Sequence, residues 1–212
     1  MKRFFSVLCA LLLCIPAFFA VMAETADDLF SDKDLTLADP SEAVQKTNDY
    51  MTAYGDTDCI YATGEDYITP AADVIKSRGI TDCKIYGSNI SPSVCQLIMD
   101  GQVEACTGGE FVCGSLAVTL LINYLDGNPI KDADGTAPYF DNLTQFMVTA
   151  ENAEDFYEFL SDENLATHTI SDEEYQNLLV RNNPDVDYDY FYDFLTNYEE
   201  NVYAKVEANA AQ

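Results

Sequence analysis

The sequence predicts an α/β fold: a single three-layer lobe whose mostly parallel sheet is flanked by helices, with an acidic helical C-terminal extension. Three observations carry the prediction. From about residue 34 to residue 150, short apolar runs alternate with helix-period segments, the order expected of βαβ units. The apolar runs do not alternate cleanly with polar residues, as expected for strands buried on both faces. Beyond residue 150 the strand-like runs stop, and acidic, tyrosine-rich segments of helical character follow.

Taken in order, Lys2-Arg3 and an apolar run from Phe4 to about Met22, closed by Val21-Met22-Ala23, predict an export signal over residues 1–23. Cys14 follows Leu11-Leu12-Leu13, without the small residues that lipoprotein processing requires, so a lipid anchor is not expected. The predicted location is exported, periplasmic or extracellular. Residues 24–33 are acidic and polar and are expected to form a loose leader. The lobe follows over 34–150. LTLA at 35–38 reads as a strand, and 41–55 as a helix capped by Ser41 and closed by Gly55. DCIYA at 58–62 reads as a strand, and about Tyr67 to Arg78 as a helix stopped by Gly79. CKIYG at 83–87 is the next strand, and SPSVCQLIMDG at 91–101 the next helix. VEAC at 103–106 precedes a helix from about Phe111 to Leu125, and TQFMVT at 144–149 reads as a last strand. In the extension, 151–212, a short helix is expected over Asn152–Leu160. Ser171 and Glu174 form a capping box for another, to about Leu179. One long terminal helix is expected from about Asp187. Its stripe of Tyr188, Phe191, Tyr192 and Phe194 is expected to pack against the lobe.

Charge and composition exclude some functions. The chain has 37 Asp and Glu against 10 Lys and Arg, for a formal charge of −27, and cleavage after Ala23 would remove two cations and leave −29. Such a surface repels nucleic acid phosphates and anionic membranes, so no nucleic acid partner is expected. Five cysteines follow the predicted signal, none in C-x-x-C spacing, and each falls in an apolar run, so buried free thiols are expected. DADG at 132–135 is too short for a calcium loop, and no metal or cofactor is implied.

No catalytic constellation emerges. His168 is the only histidine, and neither a nucleophile nor an orienting partner can be assigned to it. TGGEFVCGS lacks the lysine of a phosphate-binding loop, and no G-x-S-x-G elbow is present. A non-enzyme is expected. Better candidates are the loops at the carboxyl ends of the predicted strands, Thr63-Gly64-Glu65, Gly87-Ser88-Asn89 and Thr107-Gly108-Gly109. Parallel sheets bind ligands in the crevice beyond those ends. Glycine there lets a ligand approach the backbone, and helix starts offer free N–H groups.

The stretch from DCIYATGEDY through CKIYGSNISPSVCQLIMDG and VEACTGGEF to LDGNPI resembles the C-terminal lobe of type I, sugar-type periplasmic solute-binding proteins of ABC importers. FMVTAEN is similar to a late strand of that family, and the resemblance covers roughly residues 34–152. It implies a solute-binding protein, or its C-terminal lobe, that captures a small, sugar-like solute. Implied partners are that solute and an ABC importer permease or a separately encoded N-terminal lobe, since the chain shows no counterpart of that lobe. The family's ligand-contacting positions fall on Gly64, Glu65, Ser88, Asn89 and Gly108, with Asn89 where the family has an aspartate and Gly64-Glu65 where it has Asn-Asp. The other function considered is a truncated or repurposed lobe that acts as a non-transport interaction module, or a remnant without ligand binding.

Overall fold

Glycine and proline punctuation sets the limits of most elements. The structure, a computed structural model, describes residues 40–55, 57–110, 112–162 and 169–211. The predicted signal, leader and LTLA strand, and His168, lie outside the described residues. Helix α1 spans Pro40–Ala53, strand β1 Cys59–Ala62, α2 Glu65–Ser77, β2 Lys84–Ser88, α3 Pro92–Met99, β3 Ala105–Gly108, α4 Val112–Leu125 and β4 Phe146–Thr149. Helices α5 (Ala153–Ser161), α6 (Asp172–Asn177), α7 (Tyr188–Thr196) and α8 (Tyr198–Ala210) follow.

Local chemistry explains the ends. Helix α2 carries Glu65 and Asp66 in its first turn and Lys76 in its last, which suits the helix dipole. It stops at Gly79 in the left-handed region (φ +67°), where the Gly79 and Ile80 amides donate to the Lys76 and Ile75 carbonyls. Helix α3 starts with Ser91, whose Oγ accepts from the Val94 amide at 3.2 Å, and Pro92 follows it in the first turn. Helix α6 shows the predicted capping box between Ser171 and Glu174 in both directions.

The four strands pair in the order β1-β2-β3-β4, the first three parallel and β4 antiparallel to β3. Ala62 lies opposite Gly87, Ser88 opposite Thr107, and Gly108 opposite Phe146. The α/β class and the mostly parallel sheet are those the sequence predicts. Burial, however, alternates along β2 and β4, where the sequence suggested burial on both faces. Ile85, Gly87, Cys106, Phe146 and Val148 point into the core, whereas Tyr61, Tyr86 and Met147 are 63%, 39% and 48% exposed. Tyrosine and methionine disguise the alternation, because both read as apolar in a short run yet tolerate water.

The core is continuous from Met51 of α1 to Val206 of α8. Residues Ala43–Gln212 form one compact unit. Arg78 ties α1 to the end of α2, donating to the Asn48 Oδ1 and carbonyl oxygens (both 2.9 Å) and to Thr52 Oγ1. Buried Asn123 on α4 donates to the Leu178 carbonyl and accepts from the Val180 amide, both at 2.9 Å, so both ends of its amide are engaged.

Two expectations are corrected. The terminal helix is broken in two at Asn197, with φ −95° and ψ 4°. Long-range hydrogen bonds stabilise the break: Thr144 Oγ1 donates to the Leu195 carbonyl and accepts from the Glu199 amide, and Asn142 donates to the Tyr192 carbonyl. The break turns Tyr198 into the core, where it is fully buried. Of the aromatic stripe, Phe191 is buried and Tyr188 stacks on Phe140 at 5.0 Å, while Tyr192 stays exposed. The second correction concerns the thiols. All five are free, and Cys83, Cys95 and Cys106 are buried, but Cys59 and Cys113 are exposed. Cys59 lies on strand β1 at the end of the sheet and Cys113 on the outer side of α4, positions that an apolar run alone does not reveal. Burial pushes the Cys95 and Cys106 thiols up to about 12.

Helix α8 is pinned to α6 by Lys205, which donates to Glu174 Oε2 (2.5 Å) and to the Thr169 carbonyl (3.1 Å). Partial burial works against the Glu174 charge, but the Lys205 and Ser171 hydrogen bonds outweigh it and hold the carboxyl below its ordinary value of 4.5. A lowered folded-state pKa contributes stability above the unfolded value and loses it as pH falls through the folded one. Glu174→Gln is therefore expected to lower the melting temperature fully at neutral pH. Thermal melts across pH should show the gap to the parent protein closing below about 4.5.

Candidate functional site

The three parallel strands end on one edge, and the chain leaves each by a different device. After β1, Gly64 caps α2 with an extended backbone (φ −177°), and its carbonyl accepts from the Tyr67 and Ile68 amides at 2.9 and 3.0 Å. Glu65 is the first residue of α2 and half-buried. After β2, Ser88 is half-buried, and Asn89 is exposed with φ +73°, the one non-glycine residue with positive φ among the described residues. Asparagine tolerates this left-handed conformation better than most residues. The turn leaves the Asn89 amide at the edge, buries Ile90 and brings Ser91 into position to cap α3. Among the described residues no hydrogen bond engages the side chain of Glu65, Ser88 or Asn89.

After β3 the chain runs through Gly108, Gly109 and Glu110. Gly108 is buried, and a Cβ built there would lie 2.5 Å from the Phe146 ring and 2.6 Å from Ile90 Cγ2. Gly87 is similar, with Ile68 Cδ1 at 2.4 Å and Cγ1 at 2.8 Å. Gly109 has φ +116°, and a Cβ there would lie 2.9 Å from Tyr198 Cε1. These glycines admit neighbouring side chains against the sheet backbone. At Gly64 a Cβ would meet nothing nearer than 3.8 Å.

Of the five predicted positions, Glu65, Ser88 and Asn89 keep unengaged polar side chains at the strand ends, whereas Gly64 and Gly108 are buried. Glu110 was not among them. Its Oε1 accepts from Thr107 Oγ1 at 3.3 Å, and its Oε2 is buried without a partner. The signal for it was an acid directly after Gly108-Gly109 at a strand end. The Tyr198 hydroxyl is also buried without a partner in good geometry, although Thr169 lies beside it, and burial pushes the phenol up to about 12. Burial is the main cause of the raised Cys106 thiol, and the negative charges of Glu110 and Glu65 act in the same direction.

The donors at the helix starts are less available than expected. Ser91 and Pro92 occupy the first turn of α3, and Glu65 and Asp66 occupy that of α2. The edge therefore offers carboxylates and an amide and is hostile to anions.

A family model described as a periplasmic binding protein domain matches residues 16–129. The chain belongs to that family. Among solved structures, a periplasmic sugar-binding protein from Pseudomonas fluorescens has a TM-score of 0.52 at 18% identity, covering 70% of this chain and 44% of that one. The arabinose-transporter binding protein from Shewanella sp. ANA-3 has a TM-score of 0.48 at 20% identity, covering 60% of this chain and 42% of that one. A galactofuranose binding protein matches at 0.48 and 16% identity, over 59% and 42% of the two chains. No curated protein sequence matches. The chain thus spans less than half the length of these solved proteins.

Within the domain, packing and binding are separable by substitution. Gly87→Ala and Gly108→Ala are each expected to cost about 1–3 kcal/mol through overpacking, whereas Gly64→Ala should be nearly neutral. Urea unfolding of the three variants checks this. Asn89→Ala should cost about 1 kcal/mol for its left-handed backbone, and Asn89→Gly should not.

Proposed function

We propose that this chain is an exported solute-binding protein, or the C-terminal lobe of one, that captures a small sugar-like solute for an ABC importer. The observation that carries this reading is the unengaged Asn89 amide, held at the end of β2 by a left-handed turn, with Ser88 before it in the chain and Glu65 opening the helix that follows the neighbouring strand β1. Membership of the periplasmic binding protein domain family supports it. The chemistry suits a neutral polyhydroxylated solute. Glu65 accepts hydrogen bonds from hydroxyls, Asn89 both accepts and donates, and the acidic helix start disfavours phosphates and carboxylates. The sugar-binding description of the Pseudomonas fluorescens protein agrees with this class. The predicted signal over residues 1–23 supports an exported location, and an importer permease or a separately encoded N-terminal lobe is the proposed macromolecular partner.

A second reading, an interaction module without a ligand, is favoured by one observation: Gly64 and Gly108 are buried, so the edge presents fewer contacts than the family pattern implies.

Thermal melts with a panel of pentoses, hexoses, polyols and nucleosides separate the two. A solute at ten times its dissociation constant adds about 1.4 kcal/mol, a shift of about 3–5 °C for a domain of this size. At least one panel member is expected to give that shift, and a flat response to all would refute the transport reading. Asn89→Asp keeps the turn and supplies a carboxylate, which makes stronger, charge-assisted bonds to hydroxyls. It is expected to tighten solute binding severalfold by calorimetry without changing the unliganded melting temperature.

A further inference from the structure

Two buried polar atoms near the end of β3, Glu110 Oε2 and the Tyr198 hydroxyl, have no hydrogen-bond partner among the described residues. Gly109, the residue before Glu110, brings their neighbourhoods together. A Cβ there would lie 2.9 Å from Tyr198 Cε1, the ring atom beside the carbon that bears the hydroxyl. Glu110 is half-buried and held through its other oxygen, which accepts from Thr107 Oγ1 at 3.3 Å. Thr107 is the register partner of Ser88, so this bond ties the carboxylate to the strand-end edge that carries Ser88 and Asn89. Tyr198 is 1% exposed and comes from the C-terminal extension, outside the residues that the family model matches.

The two atoms are chemically complementary. A buried polar atom without a partner costs its desolvation, so each such atom in a folded protein calls for a reason. Burial pushes the Tyr198 phenol up to about 12, so it keeps its proton at neutral pH and is a donor. A carboxylate oxygen only accepts. One hydroxyl group both accepts and donates, and placed between the two it satisfies both. An anionic ligand group would suit the phenol but be repelled by Glu110, and an ammonium could not accept from the phenol. We propose that Glu110 and Tyr198 together grip one hydroxyl of the bound solute, so that the C-terminal extension completes the solute site. This rests on the solute-binding reading and adds a selectivity to it: the solute presents a neutral hydroxyl beside Gly109. Glu110 is the movable member, half-buried and held by one bond, and it turns its free oxygen toward the entering solute. Tyr198 is fixed by the core.

Calorimetry tests this on the purified protein, with whichever pentose, hexose, polyol or nucleoside gives the largest thermal shift, alongside melts without solute. Tyr198→Phe removes only the hydroxyl and should weaken binding about threefold to tenfold. Glu110→Gln keeps an acceptor for Thr107 but loses the charged one, and should weaken binding about tenfold or more. Without solute, Tyr198→Phe should melt at the parent temperature or above it, because the free protein loses no hydrogen bond. Tyr192→Phe, at an exposed phenol of the same extension, should change neither quantity. Because one hydroxyl is shared, the double variant should lose less affinity than the product of the two single losses. Single variants that bind as tightly as the parent would overturn the proposal. So would a Tyr198→Phe protein that melts lower without solute, which would mark a bond already made in the free protein, or a double variant whose losses multiply in full. A parent protein that responds to no panel member refutes the solute-binding reading and this site with it, whereas a responsive parent with indifferent variants refutes this site alone.

Discussion

The structure depends on how closely helices and loops approach the sheet backbone, and two glycines set that approach. Gly87 on β2 lets Ile68 of α2 lie where a Cβ would be, and Gly108 on β3 does the same for Phe146 and Ile90. Ile68 and Phe146 are completely buried, so neither side chain has room to yield. Because Phe146 belongs to β4 and stacks on Phe156 of α5 at 5.2 Å, the contact at Gly108 also fixes where the C-terminal helices begin to pack. Glycines that looked like openings for a ligand are used to close the core.

The C-terminal helices are joined to the rest by polar groups separated by long stretches of chain. Asn123 engages Leu178 and Val180, Thr144 bridges the break at Asn197, and the Tyr203 hydroxyl bonds both the amide and the carbonyl of Met147 along the outer edge of β4. That last pair occupies backbone groups an antiparallel edge strand would otherwise leave open. Tyr198, delivered by the helix break, packs on Gly109 beside the strand ends. The acidic tail thus reaches the neighbourhood of the proposed solute edge, and the two unpartnered buried atoms there, Glu110 Oε2 and the Tyr198 hydroxyl, come one from each part.

Much of the fold was legible because its punctuation is local. Gly79, Ser91-Pro92, Gly101 and the Ser171–Glu174 box act within a turn or two of themselves, and helix and strand limits fell within a few residues of where they were read. The candidate site was legible in position more than in role. Asn89, Glu65 and Ser88 stand at the strand ends with unengaged side chains, yet Gly64 and Gly108 are buried and Glu110 went unread. A glycine that admits a ligand and a glycine that admits a phenyl ring look alike in one dimension.

By itself the sequence determined the α/β order, the mostly parallel sheet, the acidic character and the strand-end loop that holds Asn89, because each follows from periodicity or composition. Tertiary structure alone decided which face of the sheet is buried, where the terminal helix breaks, which thiols are exposed and which glycines serve packing. Each of these rests on a contact between residues far apart in the chain, such as Thr144 with Leu195 or Gly108 with Phe146, and no local pattern encodes the partner.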